Sequence, residues 1–594
     1  MKDAVSDALA VFDRKLLKND PEAAREVLDS LAMEDRVALI SRLPGRDRVS
    51  ALLLSEDAEE LVQALPGPEF WITVKETGEE DSLDILRMAT PQQVQHIFDL
   101  EWWHDDKLDS LAVVYWLNLL TMAGPEVPVK WFENADEELA ITAFSRFFRV
   151  YKTDPDNEGA EPWRDLKNIW TLDNTYYLHF LEPKIAPAIE RTLELICDHN
   201  SIRYYGLLEY ITASLPIETE TEAFRFRNAR LADYGFVEFE EAIEIYAPLS
   251  DADLARLDKE AREHSYLPGP APVSEYPLAL SEPPFLFATA LKNLEDRQRL
   301  ETVAMELGGI VNRLLIADSM DMAKIESVKE AVDKAYTYIE MGLNRWTKGD
   351  PEKAASVLLS QHLTNVFRAG YTRVVLLARS ADRLRRQEWM SKTEYARELL
   401  GEDAFLIAGL NFRRPKLYEG ADPDGKPVYR EFKSSEDLAQ TEDALFTARV
   451  TGALFFRALG VSDREIGLLK EYFRGTNLTF STVFITAVCR VLAGGEMAFA
   501  PLSEKDARAA IEIAMTGEVP RKVKDDVRAD LKERVAEALS EVEESDESWI
   551  AKAREFVDFS FSRLEDEAGR TGLADLDPRY LHCLVVFPEE QSGE

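Results

Sequence analysis

Apolar residues in the first hundred positions recur with the turn of a short helix, and the breaks between runs carry proline or acidic residues. Val37, Ile40 and Leu43 repeat at three-residue steps, and Val94, Ile97 and Phe98 stand at i, i+3 and i+4. Four similar entries precede or separate such runs: Leu31-Ala-Met-Glu34-Asp35, Leu43-Pro44-Gly-Arg-Asp47, Leu65-Pro66-Gly-Pro-Glu69 and Ala89-Thr90-Pro91-Gln92-Gln93. Proline at or near the first helical position presets φ, and an acidic first turn complements the helix dipole. Hairpins this short cannot bury their faces alone. The pattern therefore predicts a small helical solenoid.

Further along, the periodicity changes. Ile169–Leu172 and Thr175–Phe180 carry the β-branched and aromatic residues of strands around an Asp173-Asn174 turn, which predicts a β-hairpin. Glu222 to Asp233 is helical. Gly235 stands where a helix end needs positive φ, with Phe236 to close it and Glu240–Tyr246 to start again, a helix–turn–helix in the geometric sense. Pro268, Pro270, Pro272, Pro277, Pro283 and Pro284 predict an extended linker. Tyr336–Ile339 and Ala354–Leu358 flank Gly349-Asp350 as one tetratricopeptide-like hairpin, and Arg413–Tyr418 with Val428–Phe432 predict a second β-hairpin around Asp422–Gly425. The rest is helical. The fold class is mainly α and multi-domain: stacked short helical hairpins, solenoid-like at the N-terminus, with one or two small β-hairpins. Its segments are 1–155 (helical repeat), 156–250 (mixed), 251–285 (linker), 286–405 (helical) and 406–594 (β-hairpin plus helices).

Two resemblances follow from these landmarks. Pro21 to Trp103, through its "LP-x-x-[DE]" rhythm at Leu43 and Leu65 and through Gln92–Leu100, resembles the superhelical N-terminal domain of MgtE-type magnesium transporters. The membrane half and nucleotide-sensing modules of those transporters have no counterpart in the sequence, so the likeness does not imply transport. Arg225–Tyr246, Asn344–Gly370 with its Phe367-Arg368-Ala369-Gly370, and Arg414–Phe432 together resemble an uncharacterised bacterial family, domain-of-unknown-function family 6178. That resemblance covers nearly the whole chain and implies no activity.

Charge narrows the classes of partner. Of 594 residues, 70 are Lys or Arg and 110 are Asp or Glu, a formal charge of −40. Such a surface repels phosphate backbones and anionic membrane faces, so nucleic acid and membrane insertion are not expected, while cations or a basic protein partner are attracted. Cys197, Cys489 and Cys583 form no CxxC pair, and Met1–Asp20 lacks a signal peptide's apolar run, so a cytoplasmic protein with reduced thiols is expected. Leu111–Ala123 and Phe480–Ala493, interrupted by Asn118 and Arg490, fall short of the ~20 residues of a membrane span and predict buried helices.

Candidate chemistry is sparse. No P-loop, GxGxxG, GxSxG, HExxH or zinc spacing occurs. On a continuous helix Glu101, His104, Asp105 and Asp109 would share one face, where Mg²⁺ or Mn²⁺ could be held, Mg²⁺ being the ion that the resemblance to MgtE-type transporters implies; a solvated acidic turn is the plainer expectation. Arg225, Arg227 and Arg230, with Asp233 beside them, form a candidate ligand site in which the arginines could bind a phosphate or carboxylate, although they are out of phase and would pair with Glu222, Asp233, Glu240, Glu241 and Glu244. Arg413 and Arg414, beside Lys416 and Tyr418, could meet an acidic peptide or single strand, or simply protect an edge hairpin. Cys197 and His199 point to different helix faces. The expectation is a non-enzymatic interaction or regulatory protein with a protein partner and no cofactor. An enzyme with a pocket near Arg225–Asp233 is the first alternative, and a divalent-cation (Mg²⁺) sensor at Glu101–Asp109 the second.

Overall fold

The structure, a computed structural model, describes residues 12, 14–153, 161–257, 286–294, 297–475, 477–570, 572 and 576–587; the proline-rich run Pro268–Pro284 lies outside them. Among the described residues the chain is mainly α-helical with small antiparallel sheets, as the periodicity predicts. It forms two compact units, 1–370 and 371–594, and the boundary falls within one helix, Leu363–Arg385.

The first unit opens with short helices: α1 (Arg14–Asn19), α2 (Pro21–Asp29), α3 (Met33–Ser41), α4 (Gly45–Leu54), α5 (Ala58–Ala64), α6 (Gly67–Thr77), α7 (Leu83–Met88) and α8 (Pro91–Glu101). Their prolines do two jobs. Pro21 and Pro91 occupy the first turn, whereas Pro44 and Pro66 are extended N-cap residues that end one segment before the next begins. The first-turn acid Glu69 is buried, with its carboxylate 3.5 Å from buried Arg48 of α4. Arg48 also donates to Thr73 Oγ1 and to the carbonyls of Ser41 and Leu43, so one guanidinium closes α3 and ties it to α6.

A two-residue hairpin follows, β1 (Trp103–His104) with β2 (Lys107–Leu108), then α9 (Ser110–Ala123), α10 (Glu126–Asn134) and α11 (Glu137–Ser145). Helix α9 departs from the expected burial: Val113, Trp116, Leu117 and Leu120 are inside, but Leu111 and Met122 are 70% and 62% exposed. The predicted hairpin exists as β4 (Ile169–Trp170) against β5 (Tyr176–Phe180), with Ile169 opposite His179. It gains a third strand, β3 (Phe148–Lys152), paired along the other edge of β5 in the order β3-β5-β4.

The first unit ends with α12 (Ala186–His199), α13 (Ser201–Ala213), α14 (Pro216–Asp233), α15 (Phe239–Ala242), α16 (Asp251–Leu257), α17 (Leu286–Lys292), α18 (Arg297–Ala317), α19 (Ile325–Thr347), α20 (Pro351–Ser360) and the start of α21 (Leu363–Arg385). The hairpin at Gly349-Asp350 joins α19 to α20: Lys348 and Gly349 take positive φ, and the Asp350 carboxylate caps Glu352 and Lys353. Helices α19 and α21 meet backbone to backbone. A Cβ at Gly342 would stand 2.0 Å from the Val366 carbonyl oxygen, and one at Gly370 1.9 Å from that of Tyr338.

In the second unit α22 (Glu388–Lys392), α23 (Ala396–Leu400) and α24 (Asp403–Leu410) lead to the second hairpin, β6 (Leu417–Ala421) with β7 (Pro427–Arg430). Its turn is held by the Asp422 carboxylate, which accepts from the amides of Asp424 and Lys426, and by Gly425 at φ +78°. Then come α25 (Ser435–Ala453), α26 (Asp463–Tyr472), α27 (Phe480–Leu492), α28 (Glu504–Ala514), α29 (Asp525–Ser540) and α30 (Glu547–Ala568). Helix α27 is the core, buried from Phe480 to Cys489 and covered by α28 and α30. Among the described residues no single helix is long and apolar enough to cross a membrane.

Candidate functional site

A cavity of about 340 Å³ opens in the first unit where α8, α10, the start of α11 and the end of α14 converge. Helix α8 is placed by its own cap. The Thr90 hydroxyl accepts from Gln93 N, and the Gln93 side-chain oxygen accepts from Thr90 N. The same Gln93 amide donates to the carbonyls of Val62 and Leu65 at 2.7 and 2.9 Å, clipping α8 to the end of α5. Val94, Ile97 and Phe98 then turn into the core, which leaves Gln92, Gln95, His96 and Asp99 along one side of the helix, lining the cavity.

Helix α14 supplies the cation. Arg230 Nε donates to Asp99 Oδ2 and Nη2 to Asp99 Oδ1, both at 2.7 Å, while Nη1 donates to Asp136 at the head of α11. Burial works against the Arg230 charge, but Asp99 and Asp136 outweigh it and hold the guanidinium above the ordinary arginine range. Burial also pushes the Asp99 carboxyl above the usual aspartate range, against the opposing pull of Arg230 and of Gln95, whose amide donates to Oδ1 at 2.8 Å. Beneath this pair Arg227 is buried between Trp103 and Phe224, and its Nε donates to the Asp99 carbonyl at 2.6 Å. Burial lowers its pKa to about 10.

The walls are aromatic. Trp131 of α10 donates its indole N–H to Gln95 and stands edge-on to Phe98 and Trp102, which stack on each other at 3.7 Å. The His96 ring lies 4.6 Å from that of Tyr234. Burial alone holds His96 down at about 3, so it is a neutral imidazole at physiological pH. Tyr234 ends α14: Gly235 takes φ +84°, Phe236 N donates to the Leu231 carbonyl, and the Tyr234 carbonyl accepts from Asn312 of α18 at 2.7 Å. Gly67 at the head of α6 backs the same wall; a Cβ there would come within 3.0 Å of the His96 ring and 3.2 Å of the Tyr234 hydroxyl.

The structure thus brings Arg230 and Asp233 of the arginine row to one cavity, buries Arg227 beneath it and leaves Arg225 exposed. The partners differ from those expected within the row. Arg230 takes Asp99 and Asp136, and Glu241 goes to Arg313. The reason is phase, since the core-facing side of α14 looks at α8 and α11 rather than along its own chain.

Glu101, His104, Asp105 and Asp109 do not come together, because α8 stops at Glu101 instead of continuing. Glu101 accepts from Trp71 Nε1 and Lys75; His104 and Asp105 stand at the exposed β1–β2 turn, Asp105 with positive φ; Asp109 caps α9. Among the described residues no group of His, Cys, Asp and Glu is arranged to hold a metal. In the second unit Arg413 is exposed and Arg414 partly so, in the loop before β6. That unit also carries an open hollow beside Asp403, Gln440 and Asp443, where burial first, then Glu402 and Asp443, pushes Asp403 up to about 6.

Of the residues lining the cavity, Arg230 and Asp233 were candidates from the sequence, and Gln92, Gln95, His96 and Asp99 on α8 were not. The signal was present in the spacing of Gln92, Gln95, His96 and Asp99, a polar stripe opposite Val94, Ile97 and Phe98. A model described as "Family of unknown function (DUF6178)" matches residues 25–587, and the chain belongs to that family. No curated protein and no solved structure matches it. The narrower likeness to MgtE-type transporters is carried by none of these matches.

Proposed function

We propose that this member of the DUF6178 family is a non-enzymatic interaction or regulatory protein, and that the Arg230 cavity is where it takes hold of a ligand. One observation carries this reading. The ionisable groups at the cavity floor are fixed in mutual pairs: Arg230 gives Nε, Nη1 and Nη2 to carboxylates, and His96 stays neutral far below physiological pH. A general acid or base works best when its pKa lies near the working pH. Groups locked this way supply shape, hydrogen bonds and a fixed field instead, which is what recognition needs.

The helical stack around the cavity supports a protein-binding role by analogy with other arrays of short helices. The charge of −40 argues for a partner that is not a nucleic acid, and a cytoplasmic setting fits the three thiols. Gln92 is exposed on the rim, so Gln92→Trp should plug the cavity without disturbing the clamp. A thermal-shift screen of small polar compounds and short peptides tests the reading. Ligands that raise the melting temperature of the native chain should leave Gln92→Trp unmoved. A set of hits indifferent to the plug would sink it.

A further inference from the structure

We propose, resting on the binding reading above, that the Arg230 cavity receives a positively charged nitrogen group, an ammonium or a guanidinium. Four features of the lining point there. Three carboxylates, Asp99, Asp136 and Asp233, share the cavity with the single guanidinium of Arg230. Arg230 gives three of its five N–H donors to Asp99 and Asp136, so its charge is already matched and an incoming anion would meet more carboxylate than cation. Asp233 at the rim has no ion pair among the described residues, which leaves a carboxylate facing whatever enters.

The fourth feature is His96. Its side chain is 4% exposed, it lines the cavity, and among the described residues its ring makes no hydrogen bond. Its ring nitrogens are left to whatever fills the cavity, and a guest that shuts out water must satisfy them or leave them desolvated. Being neutral, the imidazole carries one nitrogen that accepts. An N–H of a cation can donate there while its charge faces Asp233 and Asp136 and its body lies along Trp131 and Tyr234, where π faces favour cations. An apolar guest would leave both His96 and Asp233 desolvated and unpaired. The cavity, near the small end of ligand sites, suits one side chain or one small amine.

Two sources share this chemistry: a free amine or guanidine, and a lysine or arginine side chain of a partner protein. Calorimetry on the full chain separates them. The probes are n-butylammonium, N-methylguanidinium, the neutral isostere N-methylurea, acetate, and two peptides that differ only in carrying Arg and Lys or Gln and Glu. The cations, free or on the peptide, should saturate one site about tenfold more tightly than their neutral or acidic counterparts. Saturation by the free cations assigns a small amine, and saturation by the basic peptide alone assigns a partner's side chain. Asp233→Asn should weaken the cation about three- to tenfold with an unchanged melt, since Asp233 stands outside the clamp. His96→Phe should weaken it as well, and if that variant fails to fold, Asp233→Asn still decides. Equal binding of N-methylurea or acetate, or an unchanged cation affinity in Asp233→Asn, would overturn the assignment. If the thermal-shift screen finds ligands that Gln92→Trp excludes but the cations do not saturate, the cation assignment falls and the binding reading stands. If neither experiment finds a ligand, both fall.

Discussion

Arg230 and Asp99 meet as a two-armed pair inside the first unit, 131 residues apart in sequence, with Nε and Nη2 each 2.7 Å from a different carboxylate oxygen. The pair fastens α14 to α8 at the point where the cavity opens. Its geometry is unforgiving because Asp99 is almost wholly buried while Arg230 also serves Asp136. Removing Arg230 leaves buried Asp99 with the Gln95 amide alone, whereas removing Asp99 leaves the partly exposed Arg230 with Asp136 as its one carboxylate.

Asp99→Ala should therefore lower stability by about 2–3 kcal/mol in urea titrations, below the ~3–5 kcal/mol of a fully orphaned buried charge because Arg230 is partly exposed and keeps Asp136. Asp136→Ala should cost about 1 kcal/mol or less, since Asp136 is partly exposed and water can replace it. The double change Asp99→Leu with Arg230→Met should recover much of the loss. A double variant as unstable as Asp99→Ala would contradict the assignment of the cost to a guanidinium that has lost its two-armed partner.

Protonation of His96 gives a second expectation. In the unfolded chain its pKa is near 6.5, and in the folded chain about 3, so between those values the unfolded state binds the extra proton. Stability is full above pH 6.5 and declines as the pH falls toward 3, by an upper limit of about 5 kcal/mol across the window. His96→Gln should flatten that part of the curve. Equal slopes for native chain and variant between pH 6.5 and pH 4 would refute it.

The crossing of α19 and α21 leaves no room for a methyl group. Gly342→Ala places its Cβ against a backbone carbonyl that cannot swing aside, and should cost about 3 kcal/mol, toward the upper end of overpacking penalties. Gly349→Ala meets no neighbour within 4 Å, so its cost should come from positive φ alone, about 1 kcal/mol. Melting temperatures of the two variants should rank in that order.

Asp403 works in the opposite sense to His96. Its folded pKa of about 6 exceeds the unfolded value of 3.8, so the folded state holds the proton more tightly, and stability falls as pH rises from about 4 to 6. Asp403→Asn should stabilise the chain by about 1–2 kcal/mol at pH 7, discounted because the group is only partly buried, and by nothing at pH 4. Paired urea titrations at the two pH values are the check.

Much of the scaffold was legible in the sequence because its punctuation is local. Asp173-Asn174, Asp422–Gly425, Gly235 and Gly349-Asp350 each adopt the turn or cap that their residue types dictate. What stayed hidden depends on pairing at a distance. Strand β3 continues a helical run through Phe148-Arg-Val-Tyr-Lys152, and only β5, recruited from the far side of a loop, makes it a strand. The acidic turn after Glu101 looked like one helical face because nothing nearby announces that Trp102 and Trp103 both turn inward. Asp99 carries no signal of its own in the sequence, since its partner lies on α14.

The hydrogen bond from Asn312 to the Tyr234 carbonyl has a mechanical consequence. Tyr234 is at once a wall of the cavity and the C-cap of α14, four helices before α18. A guest that shifts the Tyr234 backbone, rather than only turning its ring, must either stretch that bond or drag α18 along, so loading the cavity by that route strains a lever whose far arm lies outside the binding chamber. Cutting the link with Asn312→Ala would let the end of α14 move without pulling on α18.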